Sequence, residues 1–180
     1  MPRIAPATGS DIPAKSAETL AAIKGALGST PNIFTTVAHS PAALQALWGF
    51  FGAMGSTSLP AKLREQIALA VGETNQCGYC VAAHNAIGKG AGLSDGQLNA
   101  ARLGVSADPK EGAALKFANS IIEKRGHVSD GEVSAVKAAG YNDAQVIEIL
   151  AVTVQNIFTN YVNHVAQTAV DFPAAPALKR

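Results

Sequence analysis

An all-α fold is what this 180-residue sequence predicts, for three reasons. Apolar residues recur at three- and four-residue spacing in segment after segment. Helix start and stop signals bracket those segments. No stretch shows sustained strand-type alternation between hairpin turns. The signals divide the chain into about seven or eight helices in one bundle. Hydrophobic residues make up 48% and charged residues 15% of the chain. That much apolar surface has to be buried, which excludes a disordered polymer, and the length suits one domain with a sizeable core.

Residues 1–15, with Pro2, Pro6, Gly9 and Pro13, read as an extended arm with little structure of its own. The single domain is expected over 16–173, with a Pro/Ala tail at 174–180. The first helix is expected from Ser16 to Leu27, started by Ser16 with Thr19 and closed by Gly28. Pro31 opens a second region, within which Ser40-Pro41 marks a helix start with proline at the first helical position. Leu44, Leu47, Trp48 and Phe51 then recur at helical spacing. Trp48, Phe50 and Phe51 are expected in the core or at a subunit interface rather than over a substrate. Ser58-Leu59-Pro60 precedes a helix that is apolar on every side from Ile67 to Val71, the mark of a buried helix. Thr74-Asn75-Gln76 breaks it, a helix resumes at Cys77, and Gly88, Gly90 and Gly92 end that one.

Ser94 caps a short helix from Asp95 to Leu103. Pro109 starts another, ended by Gly126. Ser129 with Glu132 forms a capping box for the next, which stops at Gly140. The last helix is expected from Asn142 to Thr168. Val146, Leu150, Thr153, Ile157, Tyr161 and His164 form one stripe, widened by Val154, Phe158, Val162, Val165 and Ala169. His164 on that stripe reads as a core or interface histidine. His39 and His127 fall at helix ends.

The net charge of +1 points to neither nucleic acid nor an anionic membrane. No apolar run approaches the ~18–20 residues of a membrane span. The N-terminus has no hydrophobic core of a signal peptide, and a cytoplasmic location is the default expectation. The low charge also suggests surface covered by another copy of the chain.

The chemistry concentrates between Glu65 and His84. Both cysteines stand there, as Cys77-Gly78-Tyr79-Cys80. In a reducing compartment a close CxxC pair is redox-active or metal-binding more often than a structural staple. At a helix start, unpaired N–H groups and the positive dipole end favour a thiolate. The i, i+3 spacing brings the two Cα atoms within disulfide range. His84 projects with both cysteines inside an arc of about 60° on one helix face, so its imidazole can take a thiol proton directly or through one water. Glu65, on the preceding apolar helix, needs a partner if buried. A bond to His84 would fix the imidazole tautomer and strengthen the base.

Glu65, then Cys77-x-x-Cys80, then His84 resembles the signature of the alkylhydroperoxidase D family, within the carboxymuconolactone decarboxylase superfamily. The flanking LREQIALAVG and GYCVAAHNAIGKGAGLS are similar too. PNIFTTVAHSPAAL and NYVNHVAQTAVDFP resemble the peroxidase-related branch. The resemblance implies an all-α fold, a homo-oligomer such as a trimer or hexamer, and thiol-dependent hydroperoxide reduction. It implies Cys80 as the peroxide-reactive thiol and Cys77, at the more exposed end, as the resolving thiol. Glu65 and His84 match its proton relay, and the partners it implies are a hydroperoxide and a lipoamide- or thioredoxin-like dithiol donor. Tyr79 stands where the best-known members have histidine; its hydroxyl can donate a hydrogen bond but is a poor base near neutral pH.

Other readings compete. The cysteines could be buried structural thiols. A zinc site would want four ligands where this stretch offers three, and neither metal nor cofactor is expected. Gly88-Lys89-Gly90 ends a helix rather than opening one, unlike a phosphate loop. A cofactor-free lyase acting on a lactone acid is one alternative function, although such members generally lack the cysteine pair. A non-enzymatic thiol redox sensor is another.

Overall fold

The computed structural model describes residues 1–178, so the last two residues of the expected tail, 179 and 180, lie outside the described part. Among the described residues there are nine α-helices and one short 3-10 turn, Gly9–Asp11, with no strand. The helices are α1 (Ala14–Leu27), α2 (Asn32–Val37), α3 (Pro41–Gly55), α4 (Ala61–Thr74), α5 (Gly78–Gly90), α6 (Asp95–Arg102), α7 (Pro109–Glu123), α8 (Asp130–Ala138) and α9 (Asp143–Ala166). The helix beyond the expected seven or eight is α2. Its six residues are too short for periodicity to reveal, and Ile33, Phe34, Thr36 and Val37 are all buried.

Helix α4 is the axis of the bundle. Every residue from Gln66 to Gly72 is buried, because α5, α6, α7 and α9 all pack around it. One core cluster joins α4 to α6, α7, α8 and the first half of α9. A second joins α1, α2 and α3 to the start of α5, and Cys77, Tyr79, Cys80 and Ala83 belong to it. The cysteine pair therefore stands where the two cores meet.

Several helix ends follow the sequence. Gly28 takes the left-handed conformation at φ 76° and closes α1. Ser94, Ser129 and Asn142 each close a complete capping box. The start of α1 differs: it begins at Ala14 behind Pro13, without a side-chain cap, and Ser16 is buried inside the helix. Proline's fixed φ preorganises that first turn. The N-terminal arm is tied down. Arg3 N–H donates to the Ala166 carbonyl, Ala7 N–H donates to that of Thr35, and His39 Nε2 meets that of Ala5.

Helix α9 departs most from expectation. Its buried face is Ile149, Val152, Thr153, Gln155, Asn156, Thr159, Asn160, Asn163 and Ala166, which is largely polar. Of the expected apolar stripe, Val154, Phe158, Tyr161 and Val165 are exposed, as is His164. Apolar periodicity marks a face of a helix without telling which face the fold buries.

Candidate active site

The turn between α4 and α5 builds the site. Helix α4 ends in a Schellman motif: Cys77 N–H donates to the Gly72 carbonyl and Gln76 N–H to that of Glu73. Gln76 takes the left-handed conformation this motif requires, at φ 56°. Cys77 is then the N-cap of α5, and its Sγ accepts from Cys80 N–H at 3.3 Å. One residue thus ends the buried helix, begins the next and carries a sulfur. The two cysteines are disulfide-bonded, with Cα atoms 5.3 Å apart.

Close approach of α5 to α4 depends on Gly72. A Cβ there would stand 3.3 Å from Val81 Cγ2 and 3.5 Å from Cys80 Cβ. Gly88 plays the same part at the other end of α5, where a Cβ would come within 2.8 Å of Leu98 Cδ2.

Glu65 and His84 meet across the two helices. Imidazole Nδ1 lies 2.8 Å from Glu65 Oε2. A carboxylate only accepts, so Nδ1 carries the hydrogen and Nε2 is the nitrogen left for other work. His84 makes no direct hydrogen bond to Cys80; both face one cavity of about 240 Å³. Leu27, Ile33, Phe34, Trp48, Phe51 and Phe172 supply most of its apolar wall. Trp48 and Phe51 therefore border this cavity as well as the core, each packed against Phe34 at centroid distances of 6.0 and 5.6 Å. Helical spacing marks a buried face without saying whether protein or ligand lies opposite.

The two sulfurs open on different spaces. Cys80 lines the apolar cavity. Cys77 lines a separate cleft of mixed polarity, about 970 Å³, with Glu73, Gln76, Arg102, Val170, Phe172 and Ala174. Phe172 borders both and stands between them. Both cysteines are buried, Cys77 at 1% and Cys80 at 3% exposure. The C-terminal segment lies over Cys77, since the Arg102 guanidinium pairs with Glu73 at 2.9 Å and also donates to the Pro176 carbonyl at 2.6 Å. A third, smaller cavity of about 170 Å³ lies on another side of the Glu65–His84 pair and is bordered by Arg64, Gln155 and Asn156.

Tyr79 serves as an anchor. Its hydroxyl accepts from Ile33 N–H at 3.3 Å and is bonded to the Asp171 carboxylate, which itself accepts from Asn32 N–H. Burial first, and Asp171 second, push the phenol well above the ordinary tyrosine range. The ring meets Phe172 edge-on. A further residue, Asn163 of α9, donates from Nδ2 to Cys80 Sγ at 3.3 Å. No spacing rule links residues 83 positions apart, and the only sequence hint was a polar residue at helical spacing from Asn156, Thr159 and Asn160.

Residues 41–120 match the model of the carboxymuconolactone decarboxylase family. The chain as a whole shares its fold with solved structures of the alkylhydroperoxidase AhpD type. A peroxidase-related protein of Ralstonia eutropha JMP134, described as an alkylhydroperoxidase AhpD core, superposes with a TM-score of 0.83 at 24% identity, over 94% of this chain and 92% of that one. A peroxidase-related protein of Silicibacter sp. TM1040 gives 0.81 at 21% identity, over 93% of each. The debrominase Bmp8 in complex with 2,3,4-tribromopyrrole gives 0.79 at 22% identity, over 93% of this chain and 91% of that one. No curated protein sequence matches the chain. Among the described residues no helix is long and apolar enough to cross a membrane.

Proposed function

We propose that this protein is a thiol-dependent hydroperoxide reductase, with Cys80 as the attacking thiol, Cys77 as the resolving thiol and His84 with Glu65 as proton relay. The observation that carries the reading is one residue set around one cavity. Cys80 and the hydrogen-bonded Glu65–His84 pair face the same apolar space, while Cys77, within disulfide reach, faces another.

In the cycle His84, held by Glu65, takes the Cys80 proton. The thiolate attacks the hydroxyl-bearing oxygen of the peroxide, and the O–O bond breaks. Sulfur is oxidised by two electrons to a sulfenic acid, and the leaving alkoxide takes a proton from the imidazolium to become an alcohol. Cys77 then condenses with the sulfenic acid, forming the disulfide and water. An external dithiol returns both thiols by exchange at Cys77. The aromatic walls favour an organic hydroperoxide of compact apolar shape over hydrogen peroxide.

A second reading, reductive dehalogenation of a small haloaromatic, is supported by those same walls and by the debrominase that shares the fold. Thiol labelling with mass spectrometry after one equivalent of cumene hydroperoxide tests the first reading. The expected result is stoichiometric Cys77–Cys80 pairing in the wild type, and a sulfenic acid on Cys80 in Cys77→Ser. Oxidation of Cys77 first, or of neither sulfur, would reject it.

A further inference from the structure

We infer that Asn163 is a further catalytic residue: its amide N–H stabilises the Cys80 thiolate, and its amide oxygen receives the O–H of the bound hydroperoxide. The second half rests on the peroxidase reading above; the first does not.

The observations are local to one side chain. Asn163 Nδ2 donates to Cys80 Sγ at 3.3 Å. The residue is 5% exposed and belongs to the wall of the apolar cavity. Its Oδ1 is buried and has no hydrogen-bond partner among the described residues. Two polar groups on the same cavity wall are already engaged. The Thr159 hydroxyl donates to the Asn156 carbonyl at 2.9 Å, and Glu65 is engaged with His84. A buried acceptor left open beside a nucleophilic sulfur is satisfied by a ligand that brings a donor. A hydroperoxide brings one such hydrogen, on the oxygen that the sulfur must attack.

The two halves of the amide then serve one step. With the O–H donated to Oδ1, the hydroxyl-bearing oxygen is held against Cys80. Sulfur supplies the electron pair for the new S–O bond, that oxygen keeps its hydrogen, and the alkoxide leaves toward His84. A hydrogen bond to an ionised acceptor is stronger than one to a neutral acceptor, so the N–H favours Cys80 thiolate over thiol. It acts again on the return half of the cycle. When a reductant attacks Cys77, Cys80 departs as a thiolate, and a better stabilised leaving group departs faster.

The ionisable groups around Cys80 are Cys77, Tyr79 and His84 on its own helix, Glu65 on α4, and Asp171 beyond Tyr79. Substituting Asn163 alters none of them. The first measurement is the pH profile of iodoacetamide labelling at Cys80 in Cys77→Ser protein, with and without Asn163→Ala or Asn163→Leu. The midpoint is expected to rise by about one pH unit in the alanine variant, so labelling below the midpoint slows roughly tenfold. The leucine variant, of similar size but without donor or charge, is expected to rise by a similar amount, and it decides the matter if the alanine variant does not fold. Superimposable profiles in folded variants would overturn the inference.

The second measurement uses the native cysteine pair with cumene hydroperoxide. Here kcat/KM is expected to fall about 10- to 100-fold in Asn163→Ala. An unchanged kcat/KM beside a shifted labelling profile would overturn the substrate contact alone. A wild type that turns over no peroxide would refute the peroxidase reading and the substrate contact, while the labelling profile still decides the thiolate contact.

Discussion

Between the two cysteines Tyr79 offers no base. Its hydroxyl ties the start of α5 to the start of α2 and to the C-terminal segment, and the proposed relay of Glu65 and His84 does not include it. Tyr79→Phe is therefore expected to keep most of the peroxide rate. It should lower stability by about 1–3 kcal/mol, because Ile33 N–H and Asp171 lose a buried partner, as chemical denaturation would measure. The pH sign follows from the raised phenol. In the fold it stays neutral, whereas the unfolded chain ionises above the ordinary tyrosine value of about 10. That contribution is full below about 10 and is lost as pH rises beyond it. Melting temperatures between pH 9 and 11 should fall less steeply in Tyr79→Phe than in the wild type. Within the relay, Glu65→Gln keeps the shape of the pair and removes its charge. Peroxide turnover should fall by about 10- to 100-fold with the fold intact. The pairing of Glu65 with His84 was legible in the sequence, because a carboxylate on a buried apolar helix must find a partner. Asn163 was not legible, because helix packing alone brings it to Cys80.

At the scale of the element, two helices carry the account. Helix α5 reaches the sulfur-bearing position only because Gly72 leaves room on α4. Gly72→Val would drive side-chain atoms into Val81 and Cys80. The expected cost is about 1–3 kcal/mol from overpacking, with a slower rate of disulfide formation as the second readout. Helix α9 carries an exposed row of Ile147, Val154, Phe158, Tyr161 and Val165, with Ala151 completing the alternating three- and four-residue steps of a heptad seam. We propose that this row packs against another copy of the chain. Replacing Phe158 and Val165 with glutamate should lower the mass seen by light scattering, while an unchanged mass would place the contact elsewhere. The sequence located this helix and its caps, but the stripe on it mixed two faces. Apolar residues turned outward while asparagines, threonines and a glutamine turned inward. Composition alone could not reveal that a helix would bury polar groups beside a reactive centre.

Across the whole molecule, three spaces converge on one site: an apolar cavity at Cys80, a cleft of mixed polarity at Cys77 and a small cavity of mixed polarity beside Glu65 and His84. This separation was not legible from the motif, since the C-terminal residues covering Cys77 follow it by some ninety positions. The strap over Cys77 hangs on Arg102, which holds the Pro176 carbonyl. Arg102→Ala should loosen the strap, so that dithiothreitol reduces the disulfide severalfold faster, while oxidation of the reduced protein by peroxide keeps its rate. Stopped-flow tryptophan fluorescence of Trp48, which borders the apolar cavity, can follow both half-reactions. The all-α class and the helix caps were readable because local propensity and packing agree along most of this chain. The account as a whole depends on Cys80 being the sulfur that meets the peroxide. Consumption of cumene hydroperoxide with dihydrolipoamide as reductant, in the wild type and in Cys80→Ser, tests this most directly. Steady turnover in the wild type and background rates in the variant are the predicted result; equal rates in the two would contradict it.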